Sequence, residues 1–189
     1  LVGSEMCIRD RHNNGFLITP SGKKYSSLKV KDIVFVSLDG KYEKKYKPSS
    51  EWRFHQDIYI KKKDAQAIVH THSTNATALS VHKKPIPAFH YMVALAGGND
   101  IKCAKYATYG TRELSKNILK ALNNRKACLI ANHGQIAFDK NLPDAFELAQ
   151  EVENLSLQYI TALKLGKPKI LSINEMNKVL KKAKNYKRG

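Results

Sequence analysis

The chain has 189 residues, of which 42% are apolar and 26% charged, an ordinary composition for one globular domain with a sizeable core. No apolar run approaches the ~20 residues of a membrane-spanning helix, so we expect no membrane partner. The three cysteines are odd in number and far apart, which indicates neither a disulfide framework nor a cysteine-based zinc site and favours a cytoplasmic protein.

The net charge of +17 has two possible explanations. Lysines cluster in residues 41–47 and 178–188, where they could neutralise nucleic-acid phosphates or simply form a solvated surface. Neither cluster interleaves with a known nucleic-acid-binding motif. We therefore favour the solvated surface, to which a small anionic substrate would also be drawn.

The first ten residues, LVGSEMCIRD, show no clear hydrophobic period and no continuity with the segment that follows. We predict that residues 1–10 are a non-native or disordered tail. No internal repeat or low-complexity linker interrupts the rest of the chain. Residues 11–189 are therefore predicted to form a single domain.

Strand and helix signals are mixed in the first half of that domain. Turn residues bound the β-rich runs, and Ser49 and Ser50 can cap the first helix. The predicted elements are, in chain order, strands at residues 16–19 and 32–38, a helix at 51–62, a strand at 65–69 and a helix at 73–81.

Strands and helices alternate in the second half. Asn141 can cap a long helix, and Ser172 with Glu175 forms the pattern of a capping box. The predicted elements are a helix at residues 88–96, a strand at 101–107, a helix at 111–122, a strand at 127–131, a helix at 141–165 and a last helix after 172. This order indicates an α/β (α+β layered) fold with helices on both faces of a central sheet.

Three histidines follow two of the apolar strands. His70 and His72 lie two residues apart, so the period of a strand places both imidazoles on one side, and His133 leaves the second strand in the same way. An H-x-H pair alone is common and usually binds nothing. Three imidazoles at one sheet edge would instead suit a catalytic zinc site, which keeps one position open.

Two small-residue corners could hold a phosphate group. Glu51 follows Ser49 and Ser50 at a helix start, where backbone N–H groups favour anions. Ser21 and Gly22 form a second turn that a phosphate could approach closely. Plain helix capping explains the first corner equally well.

Together these segments resemble the class II aldolase/adducin family, from about Arg11 to Tyr186. The combination is highly specific. The matching segments are LITPSGKKY, KPSSEWRFH, AIVHTH, IPAFHYMVALAGGNDI, CAKYATYGTREL, NRKACLIANHG and AFELAQEVENLSLQYITAL. The resemblance implies a mainly antiparallel sheet and a Zn²⁺-dependent aldolase that cleaves a ketose 1-phosphate.

The resemblance also implies roles by position. His70, His72 and His133 match zinc ligands, and Glu51 matches an acid/base residue near the metal. The positions that match phosphate-binding residues are Ser21, Gly22, Ser49 and Ser50.

Three tyrosines and an assembly are implied in the same way. Tyr91 and Tyr109 match aromatic positions that line the site from a neighbouring subunit, in a homotetramer with sites at subunit interfaces. Tyr186 matches a tyrosine in a mobile tail that protonates the substrate, although its alignment needs a one-residue gap.

Relatives in this family carry an N-terminal helix and a Gly-Asn loop before the first strand, and the loop supplies an asparagine to the phosphate site. The resemblance implies that the chain lacks this helix, with the foreign-looking stretch in its place. We therefore expect weak phosphate binding, and kinetics on the 189-residue chain and on a version with the segment restored should differ strongly.

Two rival functions stay open. L-Ribulose-5-phosphate 4-epimerase shares the family and its chemistry, but it usually has Asp where this chain has Glu51. The other rival is a non-catalytic, adducin-like or nucleic-acid-binding protein, which would be expected to lack the three histidines.

Overall fold

The computed structural model describes residues 7–12, 14–43, 45 and 47–186. Its strands are β1 (Cys7–His12), β2 (Gly15–Ile18), β3 (Val34–Ser37), β4 (Ala67–Thr71), β5 (Ile86–Pro87), β6 (Asp100–Ile101), β7 (Cys103–Ala104), β8 (Ala127–Ile130) and β9 (Gly134–Asp139). Its α-helices are α1 (Trp52–Lys61), α2 (Thr74–Ser80), α3 (Arg112–Ala121), α4 (Leu142–Lys164) and α5 (Ile173–Tyr186).

Seven of the strands form one sheet, in the order β3-β2-β1-β4-β9-β8-β7. Neighbouring strands are antiparallel except β7 and β8, which are parallel. Strands β5 and β6 pair separately as a short ribbon. The mainly antiparallel central sheet is thus confirmed.

The sheet is covered on both faces, because side chains alternate along each strand. One core cluster joins residues such as Ile68 and Phe138 to α1 and α3. The other joins their neighbours Val69 and Ala137 to α2, α4 and α5. The predicted layering is therefore confirmed. Within the described part of the chain, no helix is both long and apolar enough to cross a bilayer.

The ends of β4 and β8 meet at one edge of the sheet. Both strands are antiparallel to β9, which lies between them, so they run in the same direction. Residues at their carboxyl ends therefore lie side by side. This arrangement places the segment after β4 next to the turn that joins β8 to β9.

Strand β1 corrects the expectation of a disordered tail for residues 7–10. It pairs with β4 from Cys7 opposite His70 to Asp10 opposite Ala67, and with β2 on its other side. Backbone pairing on both edges needs no hydrophobic period in the sequence, which explains why the segment gave no strand signal. Residues 1–6 lie outside the described residues, and the foreign origin of the stretch stays a prediction.

Two other segments differ in detail from their predictions. Residues 91–96 form a 3₁₀ helix instead of a longer α-helix, because His90 is extended and Gly97 adopts a left-handed conformation. The predicted strand at residues 101–107 is split, since β6 pairs with β5 while β7 pairs with β8. Strand β9 was not predicted at all.

Candidate metal centre

His70 is fixed inside the sheet. It lies near the end of β4, its side chain is fully buried, and its Nδ1–H donates to the main-chain oxygen of Gln135 on β9 at 2.7 Å. That bond occupies Nδ1 and leaves Nε2 as the ring nitrogen that a metal could bind. The ring edge that could bind a metal therefore points away from β9.

His72 and His133 stand next to that nitrogen. The Nε2 atoms of His72 and His70 are 3.1 Å apart, and the ring centroid of His133 lies 4.9 Å from that of His70 and 4.7 Å from that of His72. His133 belongs to the turn after β8, which Asn132 opens with a φ of +54°. The expected convergence of the three rings is present.

Glu51 completes the cluster from the other side. It precedes the first residue of α1 and is 5% exposed, so the helix start holds it against the sheet edge. Its Oε2 lies 2.9 Å from His70 Nε2, and its Oε1 lies 3.0 Å from His133 Nε2. Both carboxylate oxygens therefore face the imidazoles.

The four side chains have the donor set and spacing of a divalent metal site. One nitrogen or oxygen from each of Glu51, His70, His72 and His133 lies within 4.8 Å of all the others. Ligand atoms of a tetrahedral zinc ion with bonds of 2.0–2.1 Å lie about 3.3 Å apart. The residues thus fit Zn²⁺, with three imidazole nitrogens and one carboxylate.

The electrostatics keep Glu51 and His72 unprotonated at neutral pH. Burial works to raise the pKa of Glu51, but the charges and hydrogen bonds of His70 and His133 outweigh it and hold that pKa well below its usual range. Burial, with the neighbouring His70 and His133, lowers the pKa of His72 to about 4. At neutral pH the His72 lone pair is therefore available to a metal.

Comparison with known proteins gives the family. The sequence model of one protein family, the class II aldolase and adducin N-terminal domain, matches residues 2–160. A 5-methylthioribulose-1-phosphate/5-deoxyribulose-1-phosphate aldolase from Rhodospirillum rubrum is 51% identical over 176 residues, which cover 93% of this chain and 80% of that protein. The chain belongs to the class II aldolase and adducin family.

Two further matches agree. L-Fuculose phosphate aldolase from Escherichia coli K12 is 50% identical over 177 residues, covering 93% of this chain and 82% of that protein. A solved structure of L-fuculose 1-phosphate aldolase superposes with a TM-score of 0.90 at 42% identity, covering 96% of this chain and 86% of the other. The chain is accordingly a class II aldolase, a carbon–carbon lyase.

The two predicted phosphate-binding corners lie together in this aldolase. Ser21 N donates to Lys47 O at 2.9 Å and Ser49 N donates to Thr19 O at 3.0 Å, so the two segments run side by side. Gly22 has a φ of +73° and nothing within 4 Å of its Cβ position. Ser21, Gly22 and Ser50 are exposed, whereas Ser49 is buried. Their role in binding phosphate stays a prediction.

The predicted catalytic tyrosines lie outside the four-residue cluster. Tyr91 is 53% exposed at the start of the 3₁₀ helix, and Tyr109 is 66% exposed in a turn whose Gly110 approaches Ser50. Tyr186 is the last residue of α5, and its side chain lies outside the described residues. Their catalytic roles stay predictions, as does the tetramer that would bring them to a site.

The sequence analysis did not identify the residues that hydrogen-bond to the proposed ligands or to the helix beside them. Gln135 holds His70, Ser80 accepts a hydrogen bond from His133 N at 3.3 Å, and Glu153 of α4 binds the start of α2. Only Gln135 offers a signal, as a polar residue directly before the apolar run Ile136-Ala137-Phe138. The partners of the others are far away in the sequence.

Proposed function

We propose that this aldolase reversibly cleaves L-fuculose 1-phosphate, or a similar ketose 1-phosphate, to dihydroxyacetone phosphate and L-lactaldehyde. The observation that carries the proposal is the buried contact of Glu51 with His70 and His133. This contact sets a base beside a group of metal ligands, next to the predicted phosphate corner at Ser49 and Ser50. The 50% identity to L-fuculose phosphate aldolase supports the choice of sugar.

The metal would be Zn²⁺, held by His70, His72 and His133 with Glu51 beside it. When bound, it would supply a Lewis acid that stabilises negative charge on substrate oxygens. The chain itself orients two of the three imidazoles: a backbone oxygen of β9 binds His70, and a hydrogen-bonded turn holds His133.

Glu51 would carry the proton step at C3 of the sugar. Its carboxylate is deprotonated in the resting site, because the imidazoles hold its pKa low. It can therefore accept the proton when the aldol forms and return it when the bond breaks. Because Glu51 directly follows Ser49 and Ser50, a phosphate bound at that corner would place C3 near the carboxylate.

A homotetramer would bring Tyr91 and Tyr109 to a neighbouring site. From the tail of α5, Tyr186 would protonate the C4 oxygen when the aldol forms and take that proton back when the C3–C4 bond breaks. Both tyrosines with described side chains are more than half exposed, as residues that act across an interface must be in one isolated chain. A cytoplasmic location is proposed with this assembly.

A second candidate substrate is a 5-deoxypentulose 1-phosphate. The R. rubrum relative named for 5-methylthioribulose 1-phosphate and 5-deoxyribulose 1-phosphate is 51% identical, which is level with the L-fuculose enzymes. These sugars share the 1-phosphate ketose end and differ at the far end. The shared end is the part that Glu51 and the serine corner would contact.

The test is a triose-phosphate release assay with L-fuculose 1-phosphate, 5-deoxyribulose 1-phosphate and L-ribulose 5-phosphate, each with and without a chelator. We expect the highest kcat/KM with the first sugar and loss of activity with the chelator. Conversion of L-ribulose 5-phosphate to its epimer without triose phosphate would instead establish the epimerase.

A matched pair of variants separates the metal centre from general effects of histidine loss. His133→Ala removes a proposed ligand, whereas His82→Ala removes an exposed histidine just after α2. We expect stoichiometric zinc by elemental analysis in the wild type and in His82→Ala, with loss in His133→Ala. No metal in the wild type, together with tight and steeply salt-dependent RNA binding, would support the non-catalytic alternative.

A further inference from the structure

Helix α2 lies between two of the proposed metal ligands. His72 lies two residues before Thr74, the first residue of α2. The turn that carries His133 packs against Ser80, the last residue of this helix. The helix has only seven residues and is about 10 Å long. Each of its ends adjoins one of these two ligands, so both ends lie close to the metal centre. Its position therefore bears directly on the separation of these two imidazoles.

The carboxyl end of α2 holds the His133 turn through one buried serine. Ser80 is fully buried, and its Oγ donates to Thr77 O at 2.8 Å. The same Oγ accepts from His133 N at 3.3 Å, and that N–H is shared with Ile130 O at 3.0 Å. Its main-chain oxygen also accepts from Asn132 N at 3.3 Å. The turn is thus bound to the helix by two of its backbone N–H groups.

The amino end of α2 is held by a carboxylate from α4. Glu153 Oε1 accepts from the backbone N and the side-chain Nδ2 of Asn75, both at 2.8 Å, and Oε2 accepts from Ala76 N at 2.9 Å. The Ser73 hydroxyl also hydrogen-bonds to Glu153. These bonds fix the first turn of the helix and the residue that follows His72.

Gln135 joins this arrangement to the remaining histidine. Its side-chain Nε2 donates to Ser73 Oγ and to Ala149 O of α4, each at 2.9 Å, while its main-chain oxygen orients His70. The histidine at 70 and the segment after His72 are therefore tied to the same residue of β9. His70 and His133 thus have polar contacts with β9 and α2, and His72 is joined to α2 through the chain at Ser73.

We propose that α2 is the positioning element of the metal centre, with Ser80 and Glu153 as positioning residues that fix the distance between His72 and His133. The inference rests on the proposed assignment of these histidines as ligands. A helix fixed at both ends cannot shift along its axis without breaking hydrogen bonds at one of them. The ligand nitrogens are therefore held near their bound geometry before a metal arrives, which strengthens binding.

The experiment measures Zn²⁺ affinity by competition with a chromophoric chelator, and the d–d absorption spectrum of the Co²⁺-substituted protein. The variants are Ser80→Ala and Glu153→Gln, one at each end of α2. The control is Ser156→Ala, which removes a buried hydroxyl that bonds only within α4, to Val152 O at 2.7 Å. Urea unfolding of the metal-free proteins measures the stability lost by each variant.

We expect Ser80→Ala and Glu153→Gln to weaken Zn²⁺ binding about 10- to 100-fold, which is the usual cost of losing a group that orients a ligand. The Co²⁺ bands should also shift, whereas the control should keep wild-type affinity and spectrum at a similar loss of stability. Wild-type affinity and spectrum in both variants would overturn the inference while leaving the metal centre intact. A wild-type protein that binds no metal would overturn the proposed function and this inference together.

Discussion

Glu51 is a buried carboxylate whose two oxygens contact His70 and His133 at about hydrogen-bond length. Changing it to Gln keeps the shape but removes the base. We expect Glu51→Gln to lower kcat for aldol cleavage by about 10²- to 10⁴-fold, the usual contribution of a general base. Zinc should still bind through the three histidines, so elemental analysis and steady-state kinetics on the same sample provide the measurement.

Glu43→Gln is the matched control, because Glu43 is an exposed carboxylate near the edge strand β3. Its kcat should equal that of the wild type. If Glu51→Gln retained full activity with bound zinc, another group would have to move the proton at C3.

Gly134 allows the two halves of the metal centre to approach each other. A Cβ at this position would lie 2.3 Å from Thr71 O and 3.0 Å from His72 Cδ2. Gly134→Ala must therefore push the end of β4 away from the turn, at a cost of about 1–3 kcal/mol in the free energy of unfolding. We expect a lower urea midpoint and weaker Zn²⁺ binding, measured by denaturation and chelator competition.

Gly166→Ala is the control, because it strains the backbone without displacing a neighbouring residue. Gly166 has a positive φ, +122°, unlike Gly134, and nothing lies within 4 Å of its Cβ position. This control should lose some stability and keep its zinc affinity. Equal zinc affinity in both glycine variants would show that the contact with His72 has no effect on the centre.

At the scale of single elements, the start of α2 depends on a charged group from α4. Burial works to raise the pKa of Glu153, but hydrogen bonds from Asn75, Ser73 and Ala76 outweigh it and lower that pKa below its usual value. Because the pKa is lower in the folded state, the carboxylate stabilises the fold fully at pH values above the unfolded-state pKa. This stabilisation is lost as the pH falls through the folded-state pKa.

Glu153→Gln should therefore lower the free energy of unfolding by about 1.5–3 kcal/mol at pH 7, the range for hydrogen bonds to a charged group. The difference from the wild type should stay constant down to about pH 5 and shrink as the pH drops past the unfolded-state value of about 4.3. Urea unfolding at a series of pH values tests this. A difference that does not change with pH would mean that the negative charge contributes nothing.

Most elements were predictable because their signals are local. Helices α3 and α4 begin at side-chain caps, Thr111 and Asn141, whereas α1 begins after Glu51 without the serine cap that we expected. The H-x-H pair showed its common face through the period of a strand. Strand β9 has no such signal, because all six of its residues are buried and no polar alternation marks it. Pairing on both sides, with β4 and β8, makes it a strand.

The metal centre was predictable only in part, because some of its contacts join residues that are far apart in the sequence. Its histidines follow apolar strands, a pattern that is visible in the local sequence. Glu51, in contrast, was assigned to the cluster only through the family resemblance. Its contact with His70 depends on how α1 packs on the sheet. The need for glycine at 134 depends on Thr71 O, and the role of Ser80 depends on a turn more than fifty residues away.

At the scale of the whole molecule, the net charge of +17 can act on a phosphorylated substrate without any specific contact. The field of a strongly basic protein raises the rate at which a small anion reaches the site, and salt screens that field. The screening length falls from about 30 Å at 0.01 M salt to about 8 Å at 0.15 M. A steering effect must therefore fade over this range.

We expect kcat/KM to fall several-fold between 0.01 M and 0.15 M salt while kcat stays constant, because the field acts on encounter and leaves the bound complex unchanged. Reversing two exposed charges, with Lys63→Glu and Lys116→Glu, should reduce this salt dependence without altering kcat. Lys63 follows α1 and Lys116 lies on α3, and neither belongs to the metal cluster. Steady-state kinetics on both proteins across the salt series give the measurement. A kcat/KM that does not respond to salt would mean that the lysines only solvate the surface.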